Sequence, residues 1–291
     1  MRNLSRFPLT GPTAIIGFVE NDLFAEMLNL ARRLAIEAGA IAAEALGRIT
    51  ISRKPDDSVV TEADHAAQRH IVEAVNAAYP DHAIVAEETR TATGPRLDPA
   101  RTKYTWVVDP LDGTRNYAVG FPCYATAIAV LENAEPVVGV VHEHNTGRTY
   151  TAIRGRGAQL DGRTLRLSEP RDARDHLIGI SSTKDAFTVR ILQTWVPMRG
   201  LILRNLGSAA MHLALVAGGG LSAAFGVKSK IWDVAAGALL LAEAGGVLTD
   251  PTGKPMTPFD LSADPDRDLP FFAGSPKVHA ALLPSLQAQG D

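Results

Sequence analysis

The sequence predicts a mixed α/β protein in which sheets and helices pack in layers. Three observations lead to this prediction. The first half is rich in apolar runs typical of an antiparallel meander, whereas the second half alternates short strands with helices. Of the 291 residues, 46% are hydrophobic, which is enough for one large core or two tightly packed ones.

The first half is predicted to begin with two helices. Apolar residues recur at helical spacing over residues 21–46, with Asn21 or Asp22 as the expected N-cap. A second helix is expected from Thr61 to Tyr79. The strands expected next are Ala83–Ala86, Thr105–Asp109, a meander over Cys123–Arg154 and a hairpin at Asp161-Gly162. The stretch Thr89–Arg101 is expected to form a surface loop.

The second half is predicted to alternate strands and helices to the end of the chain. The strands expected here are Leu177–Ser181, Gly200–Arg204, Leu221–Phe225, Val247–Thr249 and Leu269–Ala273. The helices expected here are 185–195, 208–217, 233–244 and a last one from about Pro276. We therefore expect an N-terminal half, residues 1–175, that carries most of the candidate ligands, and a C-terminal half, residues 176–291.

Composition argues against several classes of function. The formal net charge of −3 argues against a nucleic-acid partner held by bulk electrostatics. Cys123 is the single cysteine, so no internal disulfide can form, as is typical of a reducing compartment. The apolar run Phe7–Val19 is interrupted by prolines and glycines and is too short to span a bilayer. These features favour a cytoplasmic protein without a membrane partner.

The strongest chemical signal is the hexapeptide Asp109-Pro110-Leu111-Asp112-Gly113-Thr114, which follows a buried-looking strand. Loops at the carboxyl ends of strands often hold ligands in α/β proteins. The two carboxylates and the Leu111 carbonyl offer the oxygen ligands that Mg²⁺ prefers. Gly113 and Thr114 open a turn or short helix whose N–H groups suit a phosphate. The alternative is an ordinary pair of acids at a strand end and in a turn.

Three further acidic positions lie at the ends of predicted elements. Glu87, in the pair Glu87-Glu88, follows the strand Ala83–Ala86, although such a pair is often simply solvated. Asp233 at the start of an apolar helix is expected to act as its N-cap, a role compatible with metal binding. Asp64 has capping-box spacing from Thr61, but it would also face the cluster. Together these acids could hold two divalent ions that activate a water.

Four segments of the chain resemble the inositol monophosphatase family, whose superfamily also includes fructose-1,6-bisphosphatases and 3'-nucleotide phosphatases. The matching segments are Asp57–Asp64, Val85–Glu88, Trp106–Thr114 and Trp232–Gly246. Their order and spacing agree with the family from about residue 20 onward. The resemblance implies a five-layered αβαβα sandwich, a homodimer, Mg²⁺ as cofactor and sensitivity to lithium.

The resemblance also implies roles for individual residues. Glu87, Asp109 and the Leu111 carbonyl would hold a first Mg²⁺, and Asp109, Asp112 and Asp233 a second. Asp64 would contribute to a weaker third site and, with Thr114, orient the attacking water. Gly113 and Thr114 would bind the phosphate, and Lys54 would lie in a loop that closes over the metals. The segment Gly207-Ser208-Ala209 would lie near the substrate. Asp112, Ala209 and Asp233 would be among the residues that contact the substrate.

One position departs from the family pattern. Gly226 occupies the place where inositol phosphatases carry a glutamate that binds ring hydroxyls. The absence of this glutamate leaves the metal chemistry intact but argues against inositol 1-phosphate as the preferred substrate. Lys228 and Lys230 would favour a second anionic group, unless they belong to a solvated turn. We also expect that Gly226→Glu would shift the preference toward inositol phosphate if the backbone there accepts a side chain.

The sequence predicts a phosphoric monoester hydrolase, similar to an inositol-phosphate phosphatase. The alternatives within this class are fructose-1,6-bisphosphatase, histidinol-phosphatase and 3'-phosphonucleotide phosphatase activity. A regulatory binding protein that has lost most of its turnover is the alternative from another class. The presence of every expected metal ligand favours the enzyme.

Overall fold

The computed structural model describes residues 12–47, 51–53, 59–88, 97–167, 176–182 and 185–288, and the side chains from Leu23 onward. Lys54, Asp57-Ser58 and residues 89–96 of the predicted surface loop lie outside the described residues. Within this part of the chain, none of the helices combines the length and apolar character needed to cross a membrane.

Seven helices lie in the described part of the chain. They are α1 (Pro12–Ala45), α2 (Glu62–Ala78), α3 (Thr114–Ala118), α4 (Ala186–Trp195), α5 (Ala209–Ala217), α6 (Ile231–Ala244) and α7 (Pro276–Gln287). A 3₁₀ turn covers Pro99–Arg101. The predicted starts of α1 and α6 were wrong, because α1 begins at Pro12 and α6 at Ile231.

A seven-stranded sheet forms most of the first half. Its strands are β3 (Ala83–Ala86), β4 (Tyr104–Asp112), β5 (Ala125–Glu132), β6 (Glu135–Glu143), β7 (Thr149–Ile153), β8 (Gly157–Leu160) and β9 (Arg163–Leu165), in that spatial order. β3 and β4 are parallel, and all later neighbours are antiparallel. The predicted meander and the hairpin at Asp161-Gly162 are therefore confirmed. A separate hairpin precedes this sheet, formed by β1 (Ile51–Arg53) and β2 (Val59–Thr61).

The second sheet has five strands, as the alternating pattern predicts. They are β10 (His176–Ile180), β11 (Leu201–Arg204), β12 (Ala223–Gly226), β13 (Val247–Thr249) and β14 (Phe271–Gly274), in the order β11-β10-β12-β14-β13. β14 begins two residues later than expected, because the Leu269 N–H donates to the Ser229 carbonyl at 2.6 Å. That bond ties the segment before β14 to the segment after β12.

The buried side chains show five layers. On one face of the large sheet, Trp106 and Ile128 pack against Met27 of α1 and Ile71 of α2. Residues of the opposite face form one core with α5, α6 and the inner face of the small sheet. On the outer face of the small sheet, residues of α4 and α7 complete a third cluster, formed by Ile178, Ile191, Trp195, Phe225, Phe272 and Leu282 among others. The five-layered αβαβα sandwich is confirmed, and its central helical layer is shared by both sheets.

Candidate active site

A β-bulge brings Asp109 and Asp112 to the same side of β4. Side chains three positions apart in a regular strand point to opposite faces. Asp109 pairs with Ala127 and Asp112 with Ala125, so three steps on β4 match two steps on β5. The extra residue rotates the strand by one position and lets both acids point the same way. The Thr126 hydroxyl donates to the Pro110 carbonyl at 2.8 Å and holds the bulge.

The turn after the bulge requires glycine. Gly113 is the N-cap of α3 and has φ +88°, a conformation that other residues adopt only with strain. A Cβ atom at this position would lie 2.9 Å from the Cys123 carbonyl oxygen. The short helix expected after Asp112 is therefore present, and its first residue is Thr114.

Asp233 reaches the same place from α6. The expectation that Asp233 is the N-cap was wrong: Lys230 is the N-cap, and Asp233 is the third residue of the helix. Its carboxylate accepts a hydrogen bond from the Lys230 N–H at 2.7 Å, so it still satisfies the helix start. Asp109, Asp112 and Asp233 each offer an oxygen, and these atoms all lie within 4.8 Å of one another.

Asp112 is anchored by the start of α5. Its Oδ2 atom accepts hydrogen bonds from the Ser208 hydroxyl at 2.5 Å and from the Ala210 N–H at 2.7 Å. This contact was missed from the sequence, where Ser208 was assigned only to the substrate segment. Its position three residues before Met211, whose N–H it caps at 3.2 Å, is the signal that indicates a helix start.

Asp64 has both of the roles that its position allows. Its Oδ2 atom accepts from the Thr61 N–H at 2.7 Å and from the Thr61 hydroxyl at 2.6 Å, as in the predicted capping box. Its Oδ1 atom accepts from the Thr114 hydroxyl, which is also 3.0 Å from the Leu111 carbonyl oxygen. The structure thus connects α2 to the bulge through Thr114.

Glu87 follows β3 directly, and its N–H donates to the Val108 carbonyl of β4 at 3.2 Å. It is not part of the tight carboxylate group, but its charge acts on it. Burial, and then the charges of Glu87, Asp112 and Asp233, raise the pKa of Asp109 well above its usual value. Burial, with Asp112 and Glu87 next, likewise raises the pKa of Asp233.

The two acids at the edge of the cluster have smaller shifts. Burial raises the pKa of Asp112 to about 6, against the lowering effect of its bonds to Ser208 and Ala210. Burial also raises the pKa of Asp64 to about 6, and the charge of Glu87 adds to this. A set of oxygen ligands whose ionisation is held back by mutual repulsion is suited to a hard divalent cation, which would remove that repulsion. The residues present therefore fit the predicted Mg²⁺ site.

A cavity of about 170 Å³ opens beside the acids. Asp112 and Asp233 line it, and the other lining residues are Ile180, Ser181, Ser182, Gly207, Ser208, Ala209, His212, Phe225, Gly226, Lys228, Ser229 and Phe271. Ala209, predicted near the substrate, is thus a wall residue. Burial lowers the pKa of His212 to about 4, and its Nε2 atom accepts from the Leu206 N–H at 3.2 Å. His212 is therefore a neutral part of the wall.

The two lysines expected to favour anions have different surroundings. Lys228 is exposed and lines the cavity. Lys230 does not: its Nζ atom contacts the Asp266 carbonyl and forms an ion pair with Asp268 at 2.9 Å. The expectation that both lysines serve the pocket was therefore wrong for Lys230, because Asp268 already neutralises it.

Gly226 has no room for a side chain. A Cβ atom there would lie 2.5 Å from Cε1 of Phe271 and 3.0 Å from the Ser229 hydroxyl oxygen. Phe271 is fully buried and packs in the shared core, so its ring cannot easily move aside. The condition attached to the prediction for Gly226→Glu, that the backbone there accepts a side chain, is therefore not met.

Comparison with known proteins places this geometry in a family. The sequence profile of the inositol monophosphatase family matches residues 24–289. The chain belongs to this family. Among its inositol monophosphatase relatives, "Inositol monophosphatase 1" of Pongo abelii is 33% identical over 251 residues, covering 82% of this chain and 88% of that protein. "Nus factor SuhB" of Escherichia coli K12 is 34% identical over 270 residues, covering 90% of this chain and 96% of the relative.

Solved structures of inositol monophosphatase relatives agree with the five layers. The extragenic suppressor protein SuhB from Bartonella henselae superimposes with a TM-score of 0.79 at 28% identity, covering 90% of this chain and 98% of the other. An inositol monophosphatase from Thermotoga maritima gives a TM-score of 0.78 at 28% identity, covering 91% and 98%. The family is metal-dependent, and this chain has an acidic cluster that could bind a metal ion.

Proposed function

We propose that the protein is a Mg²⁺-dependent phosphatase that hydrolyses the phosphate monoester of a small polyol, sugar or nucleotide. The observation that carries this proposal is the convergence of Asp109, Asp112 and Asp233 within 4.8 Å at the mouth of a cavity. Family membership supports it, because the family's name describes this reaction type.

We assign the metal ligands as the resemblance implies. Glu87, Asp109 and the Leu111 carbonyl would hold one Mg²⁺. Asp109, Asp112 and Asp233 would hold a second, and Asp64 would contribute to a weaker third site. Mg²⁺ bound there would supply an activated water and stabilise the leaving oxygen. The Ser208 and Ala210 donors fix one oxygen of Asp112 and so determine which way its carboxylate points.

The remaining site residues act on the water and the phosphate. Thr114, placed between Asp64 and the Leu111 carbonyl, orients the attacking water through its hydroxyl. Asp64 keeps that hydroxyl in position, and the short Thr61 bonds keep Asp64 in position. The Gly113 and Thr114 N–H groups at the start of α3 receive phosphate oxygens. All these groups are arranged before substrate arrives, which is what electrostatic catalysis requires.

A panel of phosphate monoesters tests the proposal. With Mg²⁺ present we expect phosphate release, with excess chelator none, and with restored Mg²⁺ full recovery. Calcium should inhibit because its longer bonds and higher coordination number misplace the water. Lithium should inhibit as the family resemblance implies. Asp233→Asn should lose orders of magnitude in kcat, whereas Asp81→Asn, an exposed acid in a turn, should not. Full activity in chelator would refute the proposal.

A binding role without turnover is the second candidate function, and the name of relatives such as "Nus factor SuhB" favours it. The same panel separates the two. A protein that binds Mg²⁺ but releases no phosphate from any ester would support the binding role. We also propose that the protein is a cytoplasmic homodimer, and sedimentation would test the dimer. In each chain, residues 1–175 would supply most metal ligands, and residues 176–291 would supply Asp233 and the substrate wall.

A further inference from the structure

The cavity beside the acids is lined by side chains of both charges. Among the described residues that line it, Lys228 is the one cationic side chain, and the carboxylates belong to Asp112 and Asp233. Gly226 stands beside Lys228 in the wall, and Phe271 fills the space that a side chain there would need. No carboxylate can therefore be placed at Gly226 to neutralise the lysine without displacing a buried ring.

The backbone is fixed on the C-terminal side of Lys228 by contacts of the next two residues. The Ser229 carbonyl accepts a hydrogen bond from the Leu269 N–H at 2.6 Å. One residue further on, Lys230 is held by the ion pair with Asp268 at 2.9 Å. Within the described part of the chain, Lys228 forms no such ion pair, and its side chain is exposed at the cavity. A fixed backbone with a free ammonium group is a suitable receptor for an anion.

A serine in the same wall adds a hydroxyl group. Ser229 lines the cavity close to Lys228 in the chain, whereas the Ser182 hydroxyl already donates to the Asn205 Oδ1 atom at 2.8 Å. Hydroxyls and an ammonium group are typical partners of phosphate or carboxylate oxygens. Gly226 supplies no side-chain acceptor for the hydroxyls of an inositol ring, and the His212 Nε2 atom already accepts from the Leu206 N–H.

We propose that the natural substrate carries a second anionic group, phosphate or carboxylate, which binds Lys228 while the scissile phosphate lies at the acidic cluster. This inference rests on the proposed function. A side chain that binds the second anion, and not the reacting phosphate, contacts the substrate equally in the ground state and the transition state. Its loss should therefore raise KM and leave kcat nearly unchanged.

Pairs of esters that differ only in the second anion test the inference. Fructose 1,6-bisphosphate is compared with fructose 1-phosphate, and 3-phosphoglycerate with glycerol 3-phosphate; the first pair reports a second phosphate and the second pair a carboxylate. We expect that, in at least one pair, the ester that carries the second anionic group has the higher kcat/KM. Lys228→Ala should lower that preference about 10-fold, which corresponds to about 1.4 kcal/mol. Lys228→Arg should retain most of it, and added salt should weaken it.

Lys230→Ala is the matched control, because that lysine lies two positions away and is engaged by Asp268. It should leave the preference unchanged. Equal effects of Lys228→Ala on both members of each pair, or a native preference for the member without the second anion, would overturn the inference while leaving the phosphatase proposal intact. If no ester is hydrolysed, the phosphatase proposal fails. Calorimetric binding of the same pairs to native protein and Lys228→Ala then decides on the anion site independently.

Discussion

Asp112→Asn should stabilise the metal-free protein while abolishing its activity. The carboxylate of Asp112 is almost fully buried, and burial raises its pKa to about 6 from a usual value near 3.8. A difference of about two pKa units corresponds to about 3 kcal/mol of folding free energy lost by keeping the group ionised at pH 7. Asparagine removes this charge but keeps an oxygen for the Ser208 hydroxyl and the Ala210 N–H.

The pH dependence identifies the cause. The pKa of Asp112 is higher in the folded state than in the unfolded state. At a pH below the unfolded-state pKa, Asp112 is protonated in both states, so its charge does not destabilise the folded protein. The destabilisation grows as the pH rises from about 4 to about 6 and is complete above that range. Urea unfolding in chelator should therefore show the variant more stable by up to about 3 kcal/mol at pH 7, and nearly equal to the native protein at pH 4.

Magnesium should reverse the order of stability. A ligand that binds only the folded state stabilises it in proportion to the logarithm of its concentration over Kd. The native protein, which keeps all its carboxylates, should gain more from Mg²⁺ than Asp112→Asn does. The reasoning would be refuted if the variant were less stable than the native protein in chelator at pH 7, or if it kept native kcat at saturating Mg²⁺.

Three other outcomes are expected. Gly226→Glu should lose about 2–4 kcal/mol of stability in urea unfolding because its Cβ meets the buried Phe271 ring. In a Phe271→Ala background, which is itself destabilised, the additional loss from Gly226→Glu should be smaller. An unchanged midpoint for the single variant would contradict the packing argument. Thr126→Val should lower the free energy of unfolding by about 1–3 kcal/mol, because the Pro110 carbonyl loses its hydrogen-bond donor. It should also raise the Mg²⁺ concentration needed for half-maximal activity, with Thr151→Val in the same sheet as the control. An unaltered Mg²⁺ requirement would argue against a role of Thr126 in holding the bulge. In chelator, the difference in stability between Asp64→Asn and the native protein should shift in favour of the variant as the pH rises from about 4 to 6, and a difference that does not change with pH would contradict the raised pKa of Asp64.

Much of the fold followed from the sequence because its periodic signals are local. Apolar alternation predicted the meander, and helical spacing with end signals predicted α2 and α4 within a residue or two. The errors arose where a distant partner decided the boundary. β14 starts late because Leu269 bonds to Ser229, and α6 starts early because its third residue, Asp233, caps Lys230 from within the helix.

The sequence pointed to the three acids that converge in the structure, but not to the contacts that support them. The acids of the hexapeptide and Asp233 were found because each follows or begins a recognisable element. The bulge that turns Asp109 and Asp112 to one side depends on pairing with β5, which no local pattern reveals. Three other features likewise depend on contacts between segments far apart in the chain. They are the hydrogen bond from Ser208 to Asp112, the ion pair of Lys230 with Asp268, and the position of the Phe271 ring beside Gly226.

The shared helical layer has a consequence for synthesis on the ribosome. The seven-stranded sheet is complete once β9 has emerged, but its inner face waits for α5 and α6, which follow much later in the chain. Until then the sheet can bury only the face covered by α1 and α2. Asp233 arrives with α6, so the growing chain cannot assemble its acidic cluster before the apolar face is covered. The same helix thereby helps to cover the apolar face and brings the third acid of the cluster.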